Sequence, residues 1–386
     1  MNNAERVTNI IERKPVDYIP SQINFTDYTR ENEIMKALGL EEGQSLDAYL
    51  QNCLYLTFAE DDIPIFFRNF DDVMLDLQNR GYAYVDFENE IVYDRLGMGT
   101  KMHFDSFFVE YSPLEGNAEK DKKAGNFLPE SFTKLFGLPL EEKIKKLELP
   151  DGASDGCLDM MLNDFARITD GSEFVMPCGY FGVYERAYGL VGWEQFMLEI
   201  ADRPNMMHEL LEKMTVYKVQ QAKKKIAETP SIIHHYGDDL GTQISGLFSL
   251  KMFREMIKPY MKEVFSVYKD AGLKVCLHCC GYIMDYIPDL IEIGLDMLEP
   301  IQTCNDIATL KREYGKDLIF WGGVETQKLP FLTPEGVKEM TKNVIHTLGK
   351  GGGLIIGPSQ HVTCDVPIAN IKAMVETVME ERDKVF

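Results

Sequence analysis

From about residue 173 onward the chain alternates short apolar runs with longer stretches of helical periodicity. The runs cover residues 174–177, 232–236, 273–278, 297–301, 318–321 and 353–356, and glycine, proline or polar residues flank them. Between them, apolar positions recur every three to four residues over 193–201, 204–227, 250–271, 283–293, 306–314, 334–348 and 367–382. Strand and helix alternating at this spacing predict βα units and a parallel sheet. With a further strand at 18–24 (YIPSQIN), at least seven such units can be counted. The expected fold class is therefore α/β, a (β/α)8 TIM barrel with an N-terminal elaboration acting as a cap, rather than a doubly wound sheet.

The N-terminal part reads differently. A short helix is expected at 4–13, a β-hairpin within 82–111 (YAYVDF and IVYDRLGMG), and an exposed loop over 112–127. The stretch 58–70 sets Phe66, Phe67 and Phe70 beside Asp61, Asp62 and Asp72, a composition that suits a lid packed on a barrel mouth. Residues 1–170 are thus an elaboration holding the first barrel strand, the hairpin and the lid. Residues 171–386 carry the main barrel units and the candidate site, and the two parts are expected to form one structural domain.

A net charge of -22 argues against nucleic-acid binding, which draws its affinity from clustered lysine and arginine. No apolar run reaches the ~20 residues that cross a bilayer, and the N-terminus lacks a signal-peptide core, so a cytoplasmic location is expected. Eight scattered cysteines favour thiols and a metal over a disulfide framework. Gly351, Gly352 and Gly353 precede a strand instead of opening a helix, so no dinucleotide or phosphate loop is indicated.

The candidate chemistry centres on residues 273–281, LKVCLHCCG. His278 and Cys280 lie two apart at a strand's C-terminal end, where extended backbone points both to one face, and nitrogen with sulfur suits zinc. In a barrel fold, chemistry sits at the C-terminal ends of the strands. Reading those positions gives Cys178, Tyr180 and Tyr184, then His234, His235, Asp238 and Asp239, then Glu299 and Gln302. Glu325 follows, and then Gln360, His361 and Cys364. Several have structural readings. One of His234 and His235 should face the helices, Asp238 and Asp239 can cap the next segment, and Cys276 and Cys279 read as packing on the opposite face. His103, His208 and His346 read as ordinary surface or structural residues. Aromatic and methionine residues near the expected mouth, Phe25, Tyr180, Phe181, Tyr184 and Met176 together with the lid phenylalanines, would suit a flat apolar substrate.

The motif HCCG followed by DYIPDLIEIGLDMLEPIQ resembles the signature of the uroporphyrinogen decarboxylase superfamily, and more specifically its zinc-dependent, corrinoid-linked methyltransferases. RVTNIIERKPVDYIP at the start and YGDDLGTQ, FWGGVETQ and GGLIIGPSQHVTCDVPIANIKAM further on extend the resemblance, which is full over residues 173–386 and thin over the N-terminal third. Porphyrinogen decarboxylases proper bind an octa-acid through an arginine-rich N-terminal motif and need no metal; here Arg6, Arg13 and Arg30 are scattered, which disfavours that activity.

The resemblance implies zinc held by His278, Cys280 and a ligand near the last strand. Counting back from Asn370, the family position falls at Gln360, short of Cys364; sulfur preference points to Cys364, with His361 as the alternative. It also implies a corrinoid (cobalamin) supplied by a partner corrinoid protein, and a small methylated substrate. The activity expected is O-demethylation of an aryl methyl ether, with methylcobalamin-dependent methylation of a thiol or tetrahydrofolate as the alternative and porphyrinogen decarboxylation behind it. Asp239, Glu325 and Tyr184 are the expected catalytic residues or a fourth ligand, and Tyr180, Phe181, His235 and Met176 the expected substrate contacts. A corrinoid carrier is disfavoured because no DxHxxG motif occurs.

Overall fold

The computed structural model describes residues 1–26, 30–41, 43–62, 71–102 and 109–385. The expectations at Phe66, Phe67, Phe70 and His103 lie outside the described residues. Strand β1 (Leu54–Phe58) is followed by an antiparallel meander of β2 (Ala83–Asp86), β3 (Ile91–Asp94), β4 (Gly99–Lys101) and β5 (Val109–Tyr111). Strand β6 (Phe174–Cys178) then pairs in parallel with β1. The remaining strands, β7 (Ile233–Gly237), β8 (Lys274–His278), β9 (Met297–Ile301), β10 (Ile319–Val324) and β11 (Leu354–Pro358), form a parallel sheet in sequential order, with helices between them. The fold is α/β with parallel sheets. No closed ladder joins these sheets among the described residues.

Strands β6 to β11 coincide with the six predicted apolar runs. Their near-continuous burial is what a parallel sheet covered on both faces demands; all five residues of β7 are buried. Strand β1 was not anticipated, and the expected strand at 18–24 is reduced to single bridges from Ser21 to Asn52 and Ile356. Pro20 cannot donate to a ladder, which leaves this segment irregular although the Gln22 amide still donates to the Ile356 carbonyl at 2.9 Å. The predicted hairpin is β2 and β3, extended by two more strands.

Two other expectations are corrected. The exposed loop at 112–127 contains the helix Ala118–Ala124, capped by Asn117, whose side chain accepts from the Glu119 and Lys120 amides. The helix expected over 250–271 is interrupted by a π turn, Phe253–Ile257, before Lys258–Asp270. Pro259 lacks the amide that an unbroken α-helix would use, and the wider turn absorbs the mismatch.

The inward residues of the parallel strands pack in a layer at one end. Met176, Ile233, Cys276, Met297, Ile319, Trp321 and Ile355 meet Val7, Ile10 and Ile11 of the helix Asn3–Ile11. This corrects two expectations. Cys276 lies on the same side of β8 as His278, as residues two apart must, and Met176 is fully buried in this layer rather than exposed to a substrate. Phe25 is likewise core.

Candidate functional site

The register of the parallel strands sets His278 opposite Glu299 on β9 and Gly237 on β7. His278 Nδ1 lies 2.5 Å from Glu299 Oε2, and His235 Nε2 lies 3.3 Å from the same oxygen. The other ring nitrogen, His278 Nε2, is 3.5 Å from Cys280 Sγ and 3.8 Å from Asp239 Oδ1. Asp239 Oδ1 accepts the Cys280 amide at 2.7 Å, and Gln360 Nε2 donates to Cys280 Sγ at 2.8 Å. Asp239, His278 and Cys280 therefore offer oxygen, nitrogen and sulfur ligand atoms that all lie within 4.8 Å of one another. His235, His278 and Glu299 form a second group by the same measure.

The backbone after Cys280 is what turns this group inward. Gly281 adopts φ +85, and a Cβ there would come within 2.6 Å of the Thr242 carbonyl oxygen. Its amide donates to Gln302 Oε1 at 2.5 Å, and its carbonyl accepts from Asn305 Nδ2 at 2.9 Å. Only glycine fits this turn without displacing the loop after β7.

Burial alone would raise the Glu299 carboxyl, but the His278 charge and the hydrogen bonds from His235 and His278 outweigh it and hold Glu299 at about 2. For His278, desolvation is likewise outweighed, here by Glu299 and Cys280, and its pKa rises well above the usual value. Burial raises the Cys280 thiol. The result is a proton held between basic and acidic groups, a charge that a divalent cation can replace. The donor set of imidazole, thiolate and carboxylate is one that zinc accepts, so the residues present fit the metal.

Other expected residues fall in different places. His234 points away from the site, stacks on Tyr268 with ring centroids 4.8 Å apart, and is depressed to about 3 by burial. Cys364 is exposed and belongs to neither ligand group, so the structure does not bring it to His278 and Cys280. Gln360 reaches the thiol instead. His361 is exposed and belongs to neither ligand group, although it lies close enough to feel the charges of Glu299 and His278. Glu325 is buried and ties loops together, accepting from Thr303 and Ser359, and it belongs to neither ligand group.

Tyr180 forms a wall of the site, edge-on to His235 and His278 at 5.1 and 5.4 Å between ring centroids. Phe181, at φ 54, turns away and lies under the Arg186 guanidinium. Tyr184 is buried in the helix Val183–Val191, but it lines a cleft of about 890 Å3 that leads from Asp239 outward past Tyr188 and Trp193.

Behind Tyr180 stands a network that sequence reasoning missed. Arg186, fully buried, pairs with Asp94 at 2.5 Å and Asp62 at 3.2 Å. Lys218 and Lys225 also approach Asp62, at 3.8 and 3.7 Å, and donate to the carbonyls of Tyr180 and Cys178. Asp62 is thus held low against the effect of burial by these three cations. Asp61 joins through Arg95, Tyr217 and Gln221. Asp61 and Asp62 accordingly anchor the wall of the site; nothing in their spacing signals partners that lie far along the chain.

Fold and site together place this chain among the α/β proteins with a metal-competent strand-end rim. Residues 137–381, more than half of the chain, match the Uroporphyrinogen decarboxylase (URO-D) family, and the chain belongs to that family. It is 24% identical over 189 residues to a uroporphyrinogen decarboxylase of Pseudomonas syringae pv. tomato, covering 46% of this chain and 49% of that protein. It is 25% identical over 298 residues to the enzyme of Legionella pneumophila strain Corby, covering 74% of this chain and 75% of that protein. The chain thus spans about half the length of the first of these curated relatives. Among solved structures, a methyltransferase from Methanosarcina mazei superposes with a TM-score of 0.57 at 15% identity, covering 98% of this chain and 99% of the other. That likeness bears on the fold. Among the described residues, no helix is long and apolar enough to cross a membrane.

Proposed function

We propose that the protein is a zinc-dependent methyltransferase that moves a methyl group from an aryl methyl ether to the cob(I)alamin of a separate corrinoid protein. The observation that carries this reading is the convergence of His278 Nε2, Cys280 Sγ and Asp239 Oδ1 at the rim of the parallel sheet. In this reading the two parallel sheets belong to one (β/α)8 barrel, a view supported by the Ser21 bridges to both Asn52 and Ile356.

When bound, zinc supplies Lewis acidity that stabilises a departing phenolate. The chain's own residues prepare for it. Glu299 accepts a hydrogen bond from the Nδ1–H of His278, which leaves Nε2 directed at the ligand group and fixes the ring. Gln360 donates to the Cys280 sulfur and steadies its charge. Tyr180 covers one side of both imidazoles and keeps water from them. Asp239 stands at the boundary between the ligand group and the cleft, where a donor's oxygen and methyl group would meet.

The curated relatives favour a second reading, porphyrinogen decarboxylation. Against it, the cleft beside the site is lined by Glu110, Glu115, Glu185, Glu194 and Asp239 with Lys120 as its one base among the described residues, a poor receptacle for an octa-acid.

The test is methyl transfer itself. Incubation with a methoxylated aromatic and a reduced corrinoid protein is expected to yield methylcobalamin, seen in its visible spectrum, and a chelator is expected to stop it. Turnover of a porphyrinogen by metal-free protein would overturn the reading.

A further inference from the structure

The cleft that begins at Asp239 has a consistent charge. Its outer half carries Glu110, Glu115 and Glu194 around the indole of Trp193, which is 50% exposed. Lys120, the single base among the described residues that line it, is neutralised by Glu115 at 3.5 Å and donates to the Glu110 carbonyl. Its inner half holds Glu185, 91% buried by its 9% exposure, whose carboxylate accepts from Tyr188 at 3.4 Å. Asp238 does not answer it, since its oxygens are engaged by Tyr236 and by the Tyr184 and Glu185 amides at the start of the helix Val183–Val191.

The hydroxyl of Tyr184, itself only 1% exposed, lies beside the Trp193 indole without a hydrogen-bond partner of ordinary geometry. Along one cleft lie a buried carboxyl that pairs with no cation among the described residues, a buried hydroxyl without a hydrogen-bond partner and an exposed indole, a set of walls suited to a cationic ligand. Cations favour such walls through both Coulomb attraction and the faces of aromatic rings. Carboxylates are repelled by them.

We propose that this cleft receives the methyl donor and selects donors bearing an ammonium group, with Glu185 as the counter-ion and Trp193 as the outer wall; the proposal rests on the methyl-transfer reading of the His278 and Cys280 site. A charge-neutral donor binds more weakly, and a carboxylated methoxyaromatic is excluded.

The experiment compares three probes that share one methyl ether and differ in charge: meta-methoxybenzylamine, meta-methoxybenzyl alcohol and meta-methoxybenzoate. Binding is read by intrinsic fluorescence, since Trp193 is exposed in the cleft whereas Trp321 is 5% exposed. The amine is expected to bind about tenfold more tightly than the alcohol, with the benzoate weakest. Trp193→Phe should remove the signal, and Glu185→Gln should bring the amine-to-alcohol ratio to about one. Because Glu185 is buried, the surface variant Glu194→Lys provides a second arm: it should fold as the parent and weaken the amine alone. Benzoate binding as tightly as the amine, or a preference unchanged in both variants, would overturn the proposal. The readout needs no turnover. Amine selectivity without methyl transfer would keep the cleft's preference for cations but overturn the demethylase reading and with it the ligand's identity as a methyl donor, whereas methyl transfer without charge preference would overturn this inference alone.

Discussion

Glu299 Oε2 sits 2.5 Å from His278 Nδ1 on the neighbouring strand and also 3.3 Å from His235 Nε2. One carboxylate oxygen thus orients the ring that faces Cys280 and braces a second imidazole behind it. Such outer partners of a ligating histidine set its tautomer and its basicity. Glu299→Gln is therefore expected to weaken zinc binding by about 10- to 100-fold while leaving the fold intact, as read by competition with a chromogenic chelator. An affinity equal to the parent's would show that Glu299 has no such role.

The sulfur-rich reading and the structure disagree about the last strand, and the difference can be measured. Cys364 is exposed and outside both ligand groups, whereas Gln360 donates to Cys280 Sγ at 2.8 Å. Cys364→Ser should leave metal content unchanged. Gln360→Ala should lower affinity by several-fold, because the thiolate loses a hydrogen bond worth roughly 1–2 kcal/mol. Loss of metal from the Cys364 variant alone would restore it as a ligand.

Arg186 joins the antiparallel sheet to the site wall, with both its partners, Asp62 and Asp94, almost wholly buried. Removing one member of a buried charge group leaves the others uncompensated, at a cost of about 3–5 kcal/mol. Arg186→Met should lower stability by that amount in denaturant titration, and a second change, Asp94→Asn, should recover part of it. A loss below about 1 kcal/mol would mean that water reaches these carboxylates.

Glu381 gives a pH signature well away from the site. Hydrogen bonding from His346, with Lys384 and Lys342 adding to it against desolvation, lowers its carboxyl from 4.5 to about 2. A depressed folded-state pKa stabilises above the unfolded value and loses that stability as pH falls from 4.5 toward 2. Its three partners are about half exposed, so screening reduces the contribution to about 1 kcal/mol. The stability difference between the parent and Glu381→Gln should thus be near 1 kcal/mol at about pH 6 and shrink steadily as the solution approaches about pH 2. A difference that grows on acidification would contradict this.

Strands β6 to β11 were legible because parallel strands buried on both faces leave continuous apolar runs, and His278 with Cys280 because alternation in an extended chain is a local rule. The same rule, applied consistently, would have placed Cys276 on the side of His278. Strand β1, LYLTF, is hard to read because only two of its five residues are fully buried and it sits beside an aromatic stretch with a different composition. Asn117 ahead of an acidic turn is a readable cap inside a stretch whose composition is that of a loop. The buried group around Asp62 was not readable at all, since its partners Arg186, Lys218 and Lys225 come together only through tertiary packing. Glu299 and Gln360 were visible as rim positions, but only the strand register and loop path show which atoms they touch.

Metal analysis of the purified protein beside His278→Ala and Cys280→Ala tests the central claim most directly. About one zinc per chain in the parent, absent from both variants while their far-ultraviolet circular dichroism stays that of a folded protein, is the predicted result. A folded parent that carries no zinc and takes none up on dialysis against it would return His278 and Cys280 to the role of a buried ion pair with Glu299, and the proposed chemistry would fall with the metal.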